Sequence, residues 1–247
     1  MSDALVMTAR SVRISRRTVD ALIMSIALPV MLMLTFVYLF GGAIHTGSAY
    51  VTYVVPGVIL LCVGFASGQT AVSVAQDMRG GIIDRFTSMN ISAAAMLAGH
   101  VVASVLRNAV ATAMVIGVAV AIGFRPHAGV AEWLAAAGIL LAFMLAISWL
   151  AAALGLLASN PEAAAGFSFF VSFLPYPSSA FVPVDTMPGW LRGVANHQPI
   201  TPTVESVRGL LVGGPVASPA AAALVWCAAI LAASVVASAV LLRRRAH

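Results

Sequence analysis

The chain contains no lysine: all 13 of its basic residues are arginine. That absence removes two chemistries at once. A GxxxxGK[ST] phosphate loop needs its lysine on the nucleotide, and a Schiff-base enzyme needs lysine as nucleophile. If ATP drives this protein, another chain must hydrolyse it. Charge of either sign is scarce, at 9% of 247 residues, where a soluble domain carries about 25%. Only two cysteines occur, Cys62 and Cys227, both inside apolar runs. They allow neither a disulfide framework nor a CxxC metal site, and they read as small packing residues.

What fills the chain instead is hydrocarbon. Hydrophobic residues make up 61% of it, and the mean hydropathy is +1.02. A membrane span needs roughly 20 apolar residues, and six runs qualify: residues 21–40, 54–75, 101–122, 133–157, 163–181 and 220–242. Backbone groups cannot go unpaired in lipid, so the runs are expected to be helices. The expected fold is therefore an all-α integral membrane protein of six transmembrane helices, with the whole of 1–247 as one transmembrane domain. The longest gap between runs, 182–219, leaves no room for a sizeable soluble domain. The first run is long for a signal peptide and lacks a small-residue cleavage site, so it is read as an uncleaved span.

Six spans put both termini on one side, together with Arg10, Arg13, Arg16, Arg17, Arg79, Arg85, Arg243, Arg244 and Arg245. Arg125, Arg192 and Arg208 fall on the other side. The positive-inside rule makes the first side cytoplasmic. Orientation and anionic lipid are enough to account for the basic excess, and nucleic acid is not needed as a partner. Residues 1–20 place Leu5, Ala9, Val12 and Val19 at helical spacing, with Arg10, Arg13 and Arg17 to one side. This suits an amphipathic helix on the cytoplasmic surface. Arg16 falls near the apolar stripe, and a disordered basic tail is the competing reading. Pro29, and Pro175 with Pro177, should kink or break their helices. Gly64 and Gly68 form a GxxxG that permits close helix approach, by default within one chain, a dimer seam being the alternative.

Segment 182–219 mixes prolines with Phe181, Met187, Trp190, Leu191, Leu210 and Leu211, too apolar for a solvated loop. It reads as short re-entrant or interfacial helices, with Trp190 at headgroup level. One of them covers 203–212, where Glu205 and Arg208 are spaced i,i+3 to pair.

No spacing supports an enzyme. His45, His100, His127, His197 and His247 are isolated and read as interfacial hydrogen-bonders. The carboxylates include no DxxxD cluster, and Asp77 and Asp84 each have an arginine neighbour. Arg107 and Asn108 are the sharpest intramembrane polar groups. An arginine at a helix centre costs about 2.5–3.5 kcal/mol on the insertion scale; Arg107 either snorkels to the cytoplasmic end or lines the inner mouth of a pathway.

Four of the 21 charged residues crowd into the nine positions Asp77–Arg85. Gly80 and Gly81 permit a tight turn there. Beyond it Ile82, Phe86 and Met89 share one helical face while Asp84 and Arg85 point away. A short amphipathic helix of this kind, within residues 76–92, suits docking in a groove of another protein. Charges placed for topology alone are the bland alternative.

The run Gln76-Asp77-Met78-Arg79-Gly80-Gly81-Ile82-Ile83-Asp84-Arg85-Phe86-Thr87-Ser88-Met89 resembles the cytoplasmic signature of ABC-2 type permeases. So does the order Pro183, Asp185, Pro188-Gly189-Trp190, Gln198-Pro199, Thr201, Arg208-Gly209-Leu210, with a Gly-Gly-Pro after it. With the six spans, the resemblance covers essentially the whole chain. It is nearest to the daunorubicin-type drug and lipid exporters. The signature departs from the family at Gln76, where an acidic residue is common, at Gly81, where a small polar one is, and at His100, where lysine is frequent.

The resemblance implies a permease in the bacterial plasma membrane that moves hydrophobic or amphipathic cargo (drug, lipid or glycolipid) outward. It implies two permeases forming the pore, a second copy or a paralogue. A separate ATPase subunit would dock on Asp77, Arg79, Gly80, Ile82, Asp84, Arg85, Phe86 and Met89, and on the N-terminal helix. ATP-Mg would sit on that subunit, with no cofactor on this chain. An outer gate would gather Pro183, Asp185, Pro188, Trp190, Gln198, Pro199, Thr201, Glu205 and Arg208. The alternatives are a self-sufficient secondary transporter or channel, which would show an internal repeat or paired mid-membrane carboxylates, and a membrane scaffold.

Overall fold

The computed structural model describes residues 19–44, 49–80 and 93–245. Every regular element among them is helical: α1 (Val19–Thr35), continued by a π-helical turn (Phe36–Phe40), α2 (Tyr50–Arg79), α3 (Ala93–Ala121), α4 (Val130–Leu157), α5 (Pro161–Phe173), a 3-10 turn (Val184–Thr186), α6 (Gly189–Asn196), α7 (Ile200–Val212) and α8 (Ala217–Arg245). Among the described residues, α2, α3, α4 and α8 are long and apolar enough to cross a bilayer. The expected N-terminal surface helix, residues 1–20, lies almost wholly outside the described residues.

Helix α2 is the axis of the bundle. Its 30 residues make a rod of about 45 Å, longer than the roughly 30 Å of hydrocarbon, so its ends reach toward the two membrane surfaces. Its most apolar stretch is 78% buried inside the protein, against 17% for α8. Helices α1, α3, α4, α5 and α7 all pack on it. Tyr50 marks one end of this axis and Arg79 the other.

Small residues set how closely the neighbours approach. A Cβ on Gly57 would fall 2.6 Å from the Ala180 carbonyl oxygen and Cβ, and one on Gly68 would fall 3.1 Å from Ser168 Cβ. Gly64 sits equally tightly on Ser172. The Gly64/Gly68 pair thus accommodates α5 of the same chain, running antiparallel to α2. On another side of α2, a Cβ on Gly155 of α4 would fall 2.5 Å from the Ala71 carbonyl oxygen.

Helix α5 starts where Asn160 caps it, its Oδ1 accepting from the Ala163 N–H at 2.7 Å, with Pro161 in the first turn. It ends at Phe173, because Pro175 and Pro177 have no N–H to carry the helical hydrogen bonds onward. The run expected at 163–181 is thus helical only in its first part; the chain continues beside α2 in successive turns. Pro29, by contrast, stays inside α1, and the irregularity in that helix is the later π turn. The short helix expected at 203–212 begins three residues earlier, at Ile200.

Gly57→Ala should destabilise the bundle by about 1–3 kcal/mol, as overpacking does. Gly117→Ala, on an open face of α3 with no atom within 4 Å of the new Cβ, should be neutral or mildly stabilising. Thermal unfolding of the two variants in detergent checks the pair.

Candidate functional site

Where α5 breaks, four backbone carbonyls lose their helical partners, and each is met by a side chain. The Tyr50 hydroxyl donates to the Phe181 carbonyl at 2.8 Å, and the Tyr53 hydroxyl to that of Ser179 at 3.0 Å. Gln198 Nε2 donates to the Pro177 carbonyl, and Ser178 Oγ to that of Pro175 at 2.5 Å. The Ser179 N–H donates to Thr201 Oγ1 at 3.4 Å. In the centre lies Arg208. Its Nη2 donates to the carbonyls of Ser179 (2.8 Å) and Tyr53 (3.0 Å), and its Nη1 donates to Glu205 Oε1 at 2.6 Å. The guanidinium carbon stands 3.7 Å from the centre of the Tyr53 ring. The Arg208 side chain is only 11% exposed, so this is a buried, multiply bonded cation joining α2, α7 and the broken segment.

Of the residues expected at the outer face, the structure gathers Gln198, Thr201 and Arg208 on the broken segment 175–181, with Glu205 bonded to Arg208, and Pro199 stands at the start of α7 beside them. Pro183, Asp185, Pro188 and Trp190 belong to a separate flap made of the 3-10 turn and α6. There Arg192 donates to the carbonyls of Asp185 (2.7 Å) and Met187 (3.3 Å). Trp190 is 75% exposed, which suits a ring at headgroup level. Tyr50, Tyr53, Ser178 and Ser179 escaped the sequence reading. Two tyrosines three apart at the head of an apolar run, facing a Pro-x-Pro break, were the available signal.

The opposite end of α2 carries the charged island. The helix runs through Arg79 and closes at Gly80, whose N–H donates to the Gln76 carbonyl at 3.0 Å. Asp77 Oδ2 meets His100 Nε2 of α3 at 2.9 Å, so the two helices bordering residues 81–92 are joined by this pair. Arg79 is exposed. The expected docking residues Ile82, Asp84, Arg85, Phe86 and Met89 lie outside the described residues.

Between the two ends a polar seam follows α2 and α3. Arg107 Nη2 donates to Thr70 Oγ1 at 2.8 Å, and Asn108 Nδ2 to Ser67 Oγ at 2.9 Å. Ser148 Oγ of α4 donates to Ser104 Oγ at 2.9 Å. Thr70 lies nine residues before Arg79, about 14 Å along the helix, which places the Arg107 guanidinium well inside the bundle.

The model of the ABC-2 type transporter family matches residues 3–212. The chain belongs to the ABC-2 type transporter family. Among curated relatives, a daunorubicin resistance ABC transporter permease of Streptomyces coeruleorubidus is 34% identical over 190 residues, covering 76% of this chain and 67% of the relative. A probable doxorubicin resistance ABC transporter permease of Mycobacterium tuberculosis is 25% identical over 232 residues, 93% of this chain and 84% of the relative. As an ABC-2 permease the chain is an integral membrane transport component rather than an enzyme, and the family implies an ATPase partner.

Asn108→Ala and Ser67→Ala should show a coupling energy of about 0.6 kcal/mol, with about 1.7 kcal/mol as the ceiling for such pairs in membranes. A double-mutant cycle on unfolding in mixed micelles measures it. Additive losses would mean that the seam packs without this hydrogen bond.

Proposed function

We propose that this chain is the transmembrane permease of a bacterial ABC exporter, with six spans and both termini cytoplasmic. It moves hydrophobic or amphipathic cargo outward, paired with a second permease and driven by a separate ATPase subunit. In this scheme α1 with its π turn is the first span, and α5 with the turns up to Phe181 is the fifth. The 3-10 turn, α6 and α7 form the re-entrant outer cap. The observation that carries the reading is the Arg208 knot. A bundle built only to anchor would have no use for a largely buried cation tying three segments together at one end while the Asp77–His100 helix pair flanks residues 81–92 at the other.

An aromatic row supports the class of cargo. Phe169, Phe173, Tyr176, Phe181, Phe36 and Phe40 follow one another with ring centres between 4.5 and 5.5 Å apart. Phe169, Phe173 and Phe40 keep 56%, 43% and 45% of their surface open. The row leads from the α5 face past the knot to the end of α1, a lane for apolar or ring-bearing molecules that makes no hydrogen-bond demands.

The coupling scheme is a population shift. ATP binding closes the motor subunits, and the segment Ile82–Met89 seated in them passes that movement to α2 and α3. Only the difference in motor affinity for the two permease states drives the change. Arg107 and Asn108 stand on the seam that such a stroke would slide, and they act on the pathway through it.

Arg85→Glu with Phe86→Ala should abolish co-purification of the ATPase and leave membrane insertion intact; an undiminished complex would refute the docking role. Arg208→Ala should lower cargo efflux about tenfold or more, since it removes the charged hydrogen bonds, worth about 1.5–3 kcal/mol each, that join α2, α7 and the broken segment and leaves Glu205 without its ion-pair partner, while the ATPase still co-purifies. Loss of the ATPase from Arg208→Ala would contradict the assigned orientation.

A further inference from the structure

Helices α4 and α8 pack in parallel, both leading from the Arg208 end to the Arg79 end, and near the latter they part around a groove of about 490 Å³. Its walls are Leu150, Leu154 and Leu157 on one side and Ala233, Ala237 and Leu241 on the other, with Ser234 its single hydroxyl. The volume falls in the roughly 300–1,000 Å³ range of ligand sites. The walls offer nothing to a polar ligand, and alanines on the α8 side leave room for a slender chain. Ala153 also lines it, and the outward rim stays open, with Leu157 57% and Val240 43% exposed.

The mouth of the groove is basic. Helix α8 ends in Arg243-Arg244-Arg245, starting two residues beyond Leu241, and Arg243 is exposed. Leu241 and Leu242 pack in one cluster with Val74 and Met78 of α2, so Arg79, also exposed, lies at the same level. The carboxylates described at this end are Asp77, bonded to His100, and Glu162 in the first turn of α5. An apolar slot in the hydrocarbon layer that ends at the exposed Arg243, with Arg79 at the same level, matches one kind of molecule in both halves. We propose that the α4–α8 groove holds one anionic phospholipid, an acyl chain between the helices and its phosphate at the Arg243 end of α8. Basic pockets beside membrane helices take anionic headgroups in this way. The site is distinct from the aromatic row and does not depend on the export reading; it needs only the membrane setting.

Native mass spectrometry of the full-length permease, titrated with phosphatidylglycerol and with phosphatidylcholine of the same acyl length, tests it. The expected result is one retained phosphatidylglycerol per chain, preferred over phosphatidylcholine on the order of tenfold. High salt should weaken that preference. Ala237→Trp fills the groove and should cut retention of both lipids about tenfold, whereas Val236→Trp, on the outward face of the same helix at 62% exposure, should not. Replacing Arg243, Arg244 and Arg245 by glutamine should keep the acyl chain and abolish the headgroup preference. The proposal is overturned by equal retention of the two lipids in the wild type, or by undiminished retention in Ala237→Trp. A change of oligomeric state in Ala237→Trp would overturn it too, since a second copy of the chain would then be what covers the groove. If Ala237→Trp does not fold, the salt dependence in the wild type decides: a preference indifferent to salt sinks the assignment.

Discussion

A backbone carbonyl near lipid must find a donor, and that constraint governs the Tyr50 end of this bundle. Pro175 and Pro177 end α5 before it completes a crossing, leaving the carbonyls of Pro175, Pro177, Ser179 and Phe181 without helical partners. Each such group costs several kcal/mol if left alone in hydrocarbon. The fold answers with Ser178, Gln198, Tyr53, Tyr50 and Arg208, drawn from α2, α7, the turn before α7 and the break itself. The break and the cap therefore specify each other. Without the prolines the donors would have nothing to bind, and without the donors the irregular segment could not lie against Gly57.

The same helix, α2, carries different chemistry at each level. Its first turn supplies tyrosines and a carbonyl to the knot. Its middle supplies Gly64, Gly68, Ser67 and Thr70, small groups that let α5 come close on one side and take hydrogen bonds from α3 on the other. Its last turn supplies Asp77 to His100. Large aliphatic side chains hold the rest of it, with Val54, Val55, Ile59, Leu60 and Leu61 all buried in the main core. Short hydroxyl contacts, worth well under 2 kcal/mol each in membranes, are exchanged at low cost.

Much of this was legible beforehand. Composition alone fixed the all-helical membrane class, because too little charge was present for anything else. The Glu205–Arg208 pair, the GxxxG approach and the proline break all followed from spacing. What spacing could not supply was partnership across the chain. Arg208 was visible as the partner of Glu205 three residues away, yet its contacts with Tyr53 and Ser179 join positions 155 and 29 residues apart. Asp77 reads from its neighbours as an arginine partner, and its carboxylate also meets His100, 23 residues on. Arg107 offered two destinations from sequence, and its hydrogen bond runs to Thr70 of a different helix. Long-range pairing depends on which faces meet, and in a chain apolar all round no polar stripe announces those faces.

The absence of lysine gains a second meaning at the knot. Nη2 of Arg208 serves two carbonyls, Nη1 serves a carboxylate, and the guanidinium plane lies over an aromatic ring. A planar fork performs all of this from one rotamer and is weakly hydrated enough to stay buried. An ammonium has three donors but no plane to stack, and it gives up its water less readily. At a site whose purpose is to satisfy several fixed carbonyls at once, shape matters as much as charge, and arginine alone supplies both.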